Sequence, residues 1–207
     1  MAKAPQDLHD DAMAMIVPSV DEQQSTQPLQ RLRKAQFSER LVRVRRRDLG
    51  VAVVEGFVVG IGEQWLMLAV VLDTNTFVGW SMVRLADITK VTGPRSRSTA
   101  ARRHLQAGGH WPVPRPTRPV DLGTTEDLFK TVQDCSDVLE VRCERLHSAV
   151  IGRPEQVAVD AVTMVALDER GRARGPRSSL ITSDVTRIDV PVVPVPGPRN
   201  STEDVAE

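Results

Sequence analysis

Two regions of this 207-residue chain have similar sequences, and this similarity limits the possible folds more than any other feature. The segment GFVVGIGEQWLMLA aligns with SAVIGRPEQVAVDA at an offset of 92 residues, which grows to 95 and then 97 further along. The offset changes only where loops are expected, as a duplicated unit allows. We therefore predict two copies of one small domain. The matched positions are Gly60 with Gly152, Glu63 with Glu155, Gln64 with Gln156, Leu72 with Leu167, Asp73 with Asp168, Asp87 with Asp184, and Thr89 with Thr186.

The first copy has the residue pattern of a β-sheet. A pair of glycines and the polar Glu63-Gln64 separate two apolar runs, which predicts a β-hairpin. The second run, from Trp65 to Leu72, is apolar at every position, so we expect this strand to be covered on both faces. Upstream, residues 41–47 (LVRVRRR) alternate between apolar and basic side chains, which predicts a strand with its arginines exposed.

A short helix is predicted before the strands of each copy. In the second copy, residues 125–132 begin with a threonine and two acids and then repeat apolar residues at helical spacing. In the first copy, Leu32 and Phe37 before Ser38-Glu39-Arg40 indicate the matching helix.

A short helix followed by about five strands is similar to the small Sm-like and SH3-like β-barrels. The resemblance covers roughly residues 31–93 and 121–190, and it rests on the strand count and the repeat. It implies a mainly β fold of two tandem small barrels, each with a short leading helix. Barrels of these kinds bind RNA, other nucleic acids or peptides, so the resemblance leaves the function open.

Composition places the domain boundaries. Residues 1–30 have no sustained period and are predicted to be a disordered acidic tail. Residues 94–120 contain five prolines and six arginines without an acid, which predicts a basic, proline-rich linker. Residues 191–207 are predicted to be a proline-rich acidic tail, because the prolines interrupt a strand-like valine run. We expect the first barrel over residues 31–93 and the second over 121–190.

The formal net charge of zero conceals an uneven distribution. Residues 1–30 carry a net charge of −4, residues 31–120 carry +10, and residues 121–207 carry −6. This asymmetry is typical of proteins that bind nucleic acid or another anionic partner, and also of two halves that attract each other.

Seven arginines form the candidate nucleic-acid site. In the strand 41–47, three of them alternate along one face about 6.6 Å apart, a spacing that phosphates along a backbone can meet. The linker arginines can track the same backbone, with His104 and Trp111 available for stacking on bases. The competing interpretations are a charged edge strand that prevents aggregation and a linker that keeps two domains apart. The candidates are Arg43, Arg45, Arg47, Arg95, Arg97, Arg102 and Arg103.

The second copy lacks this basic strand. Glu140, Arg142 and Glu144 stand where the first copy has Arg43, Arg45 and Arg47, so phosphate binding is expected in the first copy only. Trp65 and Trp80 are interpreted as core residues instead of base-stacking platforms, because large aromatic side chains dominate small cores.

No catalytic or metal-binding pattern is visible in the sequence. The four histidines are scattered, and Cys143 and His147 would lie on a strand and turn that do not pair a nucleophile with a base. The glycines near residue 60 are not followed by the Lys-Ser/Thr and helix of a phosphate-binding loop. We therefore expect no enzyme activity, no cofactor and no metal, and we interpret Cys135 and Cys143 as free thiols.

The expected function is a non-catalytic binding module for the backbone of RNA or DNA, acting through the first copy and the linker. The alternative is a protein-interaction or scaffold module that uses strand edges or proline-rich segments. Its partner would be a peptide, an acidic protein or a second copy of the chain. The longest apolar run has eight residues, against the ~20 needed to cross a bilayer, and the N-terminal region is acidic. We therefore expect a cytoplasmic protein with no membrane partner.

Overall fold

The structure is a computed structural model that describes residues 20–47, 53–72, 74–168 and 171–192. For residues 20–26 and Arg95 it describes the backbone only. Much of the two predicted tails, the turn at residues 48–50 and Asp73 lie outside the described residues. Among the helices that are described, none combines the length and apolar content needed to cross a membrane.

The described chain forms helices and strands in an order that repeats. Short 3₁₀ turns occur at Leu85–Asp87, Glu144–Leu146 and Thr182–Asp184. The elements are α1 (Val20–Phe37), β1 (Leu41–Arg46), β2 (Val54–Ile61), β3 (Trp65–Val71), β4 (Phe77–Arg84), β5 (Ile88–Thr92), α2 (Arg95–Ala107), α3 (Thr125–Val132), β6 (Leu139–Cys143), β7 (Ser148–Val157), β8 (Ala161–Leu167), β9 (Ala173–Ile181) and β10 (Arg187–Pro191).

The strands form one open antiparallel sheet of ten strands, in the order β5-β1-β2-β3-β4-β10-β6-β7-β8-β9. The first five strands make one half of the sheet and the last five make the other. Both halves have the same internal order, with the fifth strand beside the first, and β4 joins them by pairing with β10. The fold is therefore mainly β, as predicted. The described ladders form a single open sheet and do not close either half into a separate barrel.

The central position of β3 explains why its sequence is apolar throughout. The predicted hairpin is confirmed by the antiparallel pairing of β2 with β3. Leu66 and Leu68 pack in the core of the first half, whereas Trp65 and Met67 pack in a second core that contains Phe129 of α3. Successive side chains of a strand point to opposite faces, so β3 supplies residues to both cores.

The structure matches the glycines of the two halves differently from the sequence alignment. A Cβ atom on Gly56 would lie 2.4 Å from Ala69 O, and one on Gly152 would lie 2.1 Å from Val165 O. Both strands also carry a bulge shortly after this glycine, in the pairs 58/60 and 154/156. Gly152 therefore corresponds to Gly56, at an offset of 96 residues, and not to Gly60. In both halves only a glycine admits the close approach of the next strand.

The helices preceding each half are both present, but α1 is longer than predicted. It begins at Val20 and so occupies residues 20–30, which were assigned to a disordered tail. Leu32 is fully buried, whereas Phe37 at the helix end is 94% exposed. In α3, the hydroxyl of Thr124 accepts a hydrogen bond from Asp127 N at 3.1 Å and caps the helix.

The segment 94–120, predicted to be a linker, is packed against the first half. Its helix α2 buries Ala101 and Leu105 in a cluster that also contains Phe57 of β2. Trp80 Nε1 donates to Pro114 O at 2.9 Å, which holds the proline-rich part against β4. Only two apolar positions of α2 face the sheet, so its sequence carries little helical periodicity.

Ion pairs join the halves of the sheet. The guanidinium of Arg46 makes two hydrogen bonds to the carboxylate of Glu144, and these side chains are only 1% and 5% exposed. The hydroxyl of Thr186 also donates to this carboxylate, at 3.0 Å. A second pair forms between Arg145 and Asp87. The first pair joins a base of the basic region to an acid of the acidic region, whereas in the second pair the base belongs to the acidic region and the acid to the basic one.

Candidate nucleic-acid interface

Strand β1 presents arginines to solvent and valines to the core. Arg43, Arg45 and the following Arg47 are exposed, whereas Val42 and Val44 are buried. The alternation predicted for residues 41–47 is confirmed over these positions. Arg46 is the exception among the arginines, because it points into the junction between the halves.

A lysine that local sequence does not single out lies beside these arginines. Lys90 of β5 is directly opposite Arg45 in the antiparallel ladder, and both side chains are exposed. Arg43 lies two residues before Arg45 on the same face. We name Arg43, Arg45 and Lys90 the basic surface. In its own strand Lys90 lies between the exposed Thr89 and the buried Val91, and only the non-local pairing of β1 with β5 places it here.

One buried carboxylate brings two of the predicted arginines together. Glu55 of β2 lies opposite Arg43 and forms ion pairs with both Arg43 and Arg97 of α2. Arg97 also donates to Leu72 O at 2.9 Å. Arg97 therefore helps to fix α2 on the sheet, and Arg43 binds the same carboxylate from β1. The side chain of Arg43 stays 45% exposed and remains accessible from solvent.

Arg102, another of the predicted arginines, makes contacts within the protein. The guanidinium of Arg102 lies over the ring of Trp111, 4.5 Å from its centroid, and Arg102 Nη2 is 3.5 Å from Glu39 Oε2. Trp111 also packs edge to face with Phe57 at 5.4 Å, so contacts within the protein occupy the ring proposed for base stacking. Arg103 is exposed on α2. Arg95 begins α2, and its side chain is outside the described atoms.

A shallow groove of about 360 Å³ near the start of α3 contains another arginine. Arg84 donates to Thr182 O at 2.8 Å and Ser183 O at 3.0 Å, and its guanidinium lies 5.4 Å from the Trp65 ring centroid. Burial lowers the pKa of Arg84 below its usual value. These contacts use the guanidinium to connect the two halves, so Arg84 has a structural role.

Within the segments that the structure describes, no group of three or more His, Cys, Asp and Glu side chains is arranged to hold a metal ion. Cys135 and Cys143 are free thiols, and Cys143 is buried. Comparison of the chain with protein-family models, curated proteins and solved structures gives no match.

Proposed function

We propose that the protein is a non-catalytic module that binds the phosphate backbone of RNA or DNA through the basic surface. The observation that carries this proposal is the pairing of Arg45 with Lys90 across two strands. Like charges directly opposite each other destabilise a sheet. Neither side chain has an ion-pair partner among the described residues, so an external anion is the natural neutralising group.

The placement of the three cations supports a polyanionic ligand. Arg43 and Arg45 are separated by about 6.6 Å along β1, and Lys90 lies about 5 Å away across the ladder. The surrounding region, residues 31–120, carries the positive charge of the chain. A backbone with repeated phosphates can meet several of these cations at once, and such binding is expected to depend weakly on base sequence.

The test is fluorescence anisotropy of the full chain with single-stranded RNA and duplex DNA over a series of salt concentrations. Each phosphate contact contributes about 0.7 to the log–log salt slope for single strands and about 0.9 for duplex DNA. Changing Arg45→Gln together with Lys90→Gln is expected to lower the slope by about 1.4 with RNA and about 1.8 with DNA.

A matched control removes the same charge elsewhere. Arg153 and Arg174 are exposed on β7 and β9 of the second half, and Arg153→Gln with Arg174→Gln changes the net charge equally. This control is expected to keep the salt slope of the unmodified protein. Equal slopes for both double variants, or no binding by the unmodified protein at low salt, would contradict the proposal.

We also propose that each half of the sheet is one barrel-like unit of the Sm-like or SH3-like kind. Support comes from the identical strand order of the halves and from the equivalent glycines and bulges in β2 and β7. The halves share a continuous sheet, so the units would be fused edge to edge instead of being separated by a linker.

A protein-interaction module is the second candidate function. The observation that favours it is that, in the described sheet, β5 and β9 each pair on one side only and can accept an extended strand through backbone hydrogen bonds on the other. This function predicts no salt-dependent nucleic-acid binding, so the anisotropy measurement separates it from the first candidate.

A further inference from the structure

The two open edges of the sheet are counterparts of strands that pair inside the chain. β5 is the fifth strand of the first half, as β10 is of the second. β9 is the fourth strand of the second half, as β4 is of the first. In the middle of the sheet β4 and β10 pair with each other. Among the described strands, the two edges of the sheet are therefore the equivalents of the two strands that form its internal junction, and each edge strand pairs on one side only.

The internal junction shows how such strands pair. Five successive residues of β10, from 187 to 191, pair with β4. Arg84 N donates to Thr186 O at 3.4 Å, which fixes which residues are hydrogen bonded across this ladder. Because hydrogen-bonded pairs alternate in an antiparallel ladder, the backbone groups of Met82 and Ile188 face each other across the junction.

In β9, too, successive residues direct their backbone N–H and C=O groups alternately toward β8 and toward the open side. Thr182 N donates to Asp160 O at 2.9 Å, so the backbone of Ser178 faces β8 and that of Ser179 faces the open side. Ser179 lies three residues before its 3₁₀ turn, as Met82 does in β4. Ser179 therefore offers its N–H and C=O where Met82 offers them to β10.

The open side of β5 already accepts a donor. Arg31 Nη1 of α1 donates to Val91 O at 3.1 Å. Val91 lies four residues after the end of its 3₁₀ turn, and Ile188 lies four residues after the end of the equivalent turn. Val91 is therefore the counterpart of Ile188, which pairs with β4. The exposed side chain of Arg31 thus satisfies a carbonyl whose counterpart is bonded by a backbone N–H.

We propose that β9 of one copy of this chain adds to β5 of a second copy. The strands run antiparallel, with Ser179 opposite Val91 and Ser178 opposite Thr92, which is the register of β4 on β10. The backbone N–H of Ser179 replaces Arg31 at the Val91 carbonyl. The contact joins different surfaces of the two copies, so it propagates head to tail and forms a ring or an open chain according to the rotation at each step.

The composition of the open edge sets the strength of this contact. At the internal junction Met67 and Met82 contribute large apolar side chains to the shared core. Their counterparts in the second half are Thr163 and Ser179, which bury less apolar surface. Backbone hydrogen bonds therefore provide most of the specificity, and we expect assembly to be reversible and dependent on concentration.

The first experiment measures the mass of the full chain by sedimentation equilibrium over a range of concentrations. The variant Ser179→Pro removes the N–H on the open side of β9, where an edge strand tolerates proline in the monomer. Ser179→Ala keeps that N–H and is the matched control. We expect the average mass of the unmodified protein and of Ser179→Ala to rise above 22.8 kDa, whereas Ser179→Pro stays at this value.

Two results of this experiment would overturn the proposal. One is an unmodified protein that remains at 22.8 kDa at every concentration. The other is a Ser179→Pro variant that assembles as strongly as Ser179→Ala, because another surface would then be responsible.

A cross-linking experiment tests the register without relying on proline. Residues opposite each other in a ladder have Cβ atoms about 4.5–5.5 Å apart, which small movements bring within disulfide reach. Thr92→Cys and Ser178→Cys are made in separate chains, mixed and oxidised. We expect dimers that contain one of each variant in the mixture. A mixture that yields no more dimer than the two variants oxidised alone would contradict the assigned register and interface.

Discussion

At the residue scale, the ion pair of Arg46 and Glu144 lies at the junction between the two halves of the sheet. Both side chains are almost completely buried, and the carboxylate is also hydrogen bonded by Thr186. Removing one member of such a pair leaves an uncompensated charge in a poorly solvated site, which typically costs about 3–5 kcal/mol. The stability of the fold therefore depends on the charge of Glu144 as well as on its shape.

We expect Glu144→Gln to lower the free energy of unfolding by about 3 kcal/mol, measured by urea denaturation. The control is Glu155→Gln, which removes a carboxylate from the exposed ion pair with Arg177 and is expected to leave the midpoint unchanged. Exposed pairs contribute little, because solvent screens them. Equal midpoint shifts for the two variants would show that burial of the Arg46 pair has no special importance.

At the scale of elements, α2 is held by a small number of strong contacts. Leu105 is 1% exposed and packs in the cluster with Leu41, Phe57 and Val71. We expect Leu105→Ala to lower the free energy of unfolding by about 2 kcal/mol or more in urea denaturation, because it leaves a cavity. Leu146→Ala, at a 61% exposed site, is the control and is expected to change stability by less than ~0.5 kcal/mol. An unchanged midpoint for Leu105→Ala would mean that the packing of α2 on the sheet does not stabilise the fold.

Local pattern predicted the strands well and the helix α2 poorly, for physical reasons. The alternation in residues 41–47 and the apolar run after Glu63-Gln64 report burial directly, so β1 and the β2–β3 hairpin were predictable. The sequence of α2 contains only two buried apolar positions between many arginines and nearby prolines. Its helix is stabilised by packing and by Glu55, and neither contact is visible in local sequence.

The basic surface was predicted in part for the same reason. The exposure of Arg43 and Arg45 follows from alternation within one strand. Which side chains lie next to them depends on how β1 pairs with β2 and β5. This pairing places Lys90 beside Arg45 and Glu55 beside Arg43. The binding of Glu55 by Arg97 also required the position of α2. Local periodicity therefore identifies which side chains are exposed, whereas the tertiary fold decides which charges are neutralised.

At the scale of the whole molecule, the halves are joined through a shared core as well as a shared sheet. Trp65, Met67 and Met82 of the first half pack in one cluster with Phe129 and Met164 of the second. The halves cannot separate without exposing this cluster and breaking the β4–β10 ladder. We therefore expect the described fold to unfold as one cooperative unit, although its sequence suggests two domains.

Met164→Ala tests this cooperativity, because Met164 is fully buried in β8 and far along the sheet from β1. The substitution is expected to cost about 2–5 kcal/mol through the cavity it leaves. Hydrogen exchange of the slowest backbone amides measures the effect separately in each strand. If unfolding is global, protection falls by the same free energy in β1 and β2 as in β7 and β8. A loss confined to β7 and β8 would show two independently unfolding halves and contradict the shared core as the source of cooperativity.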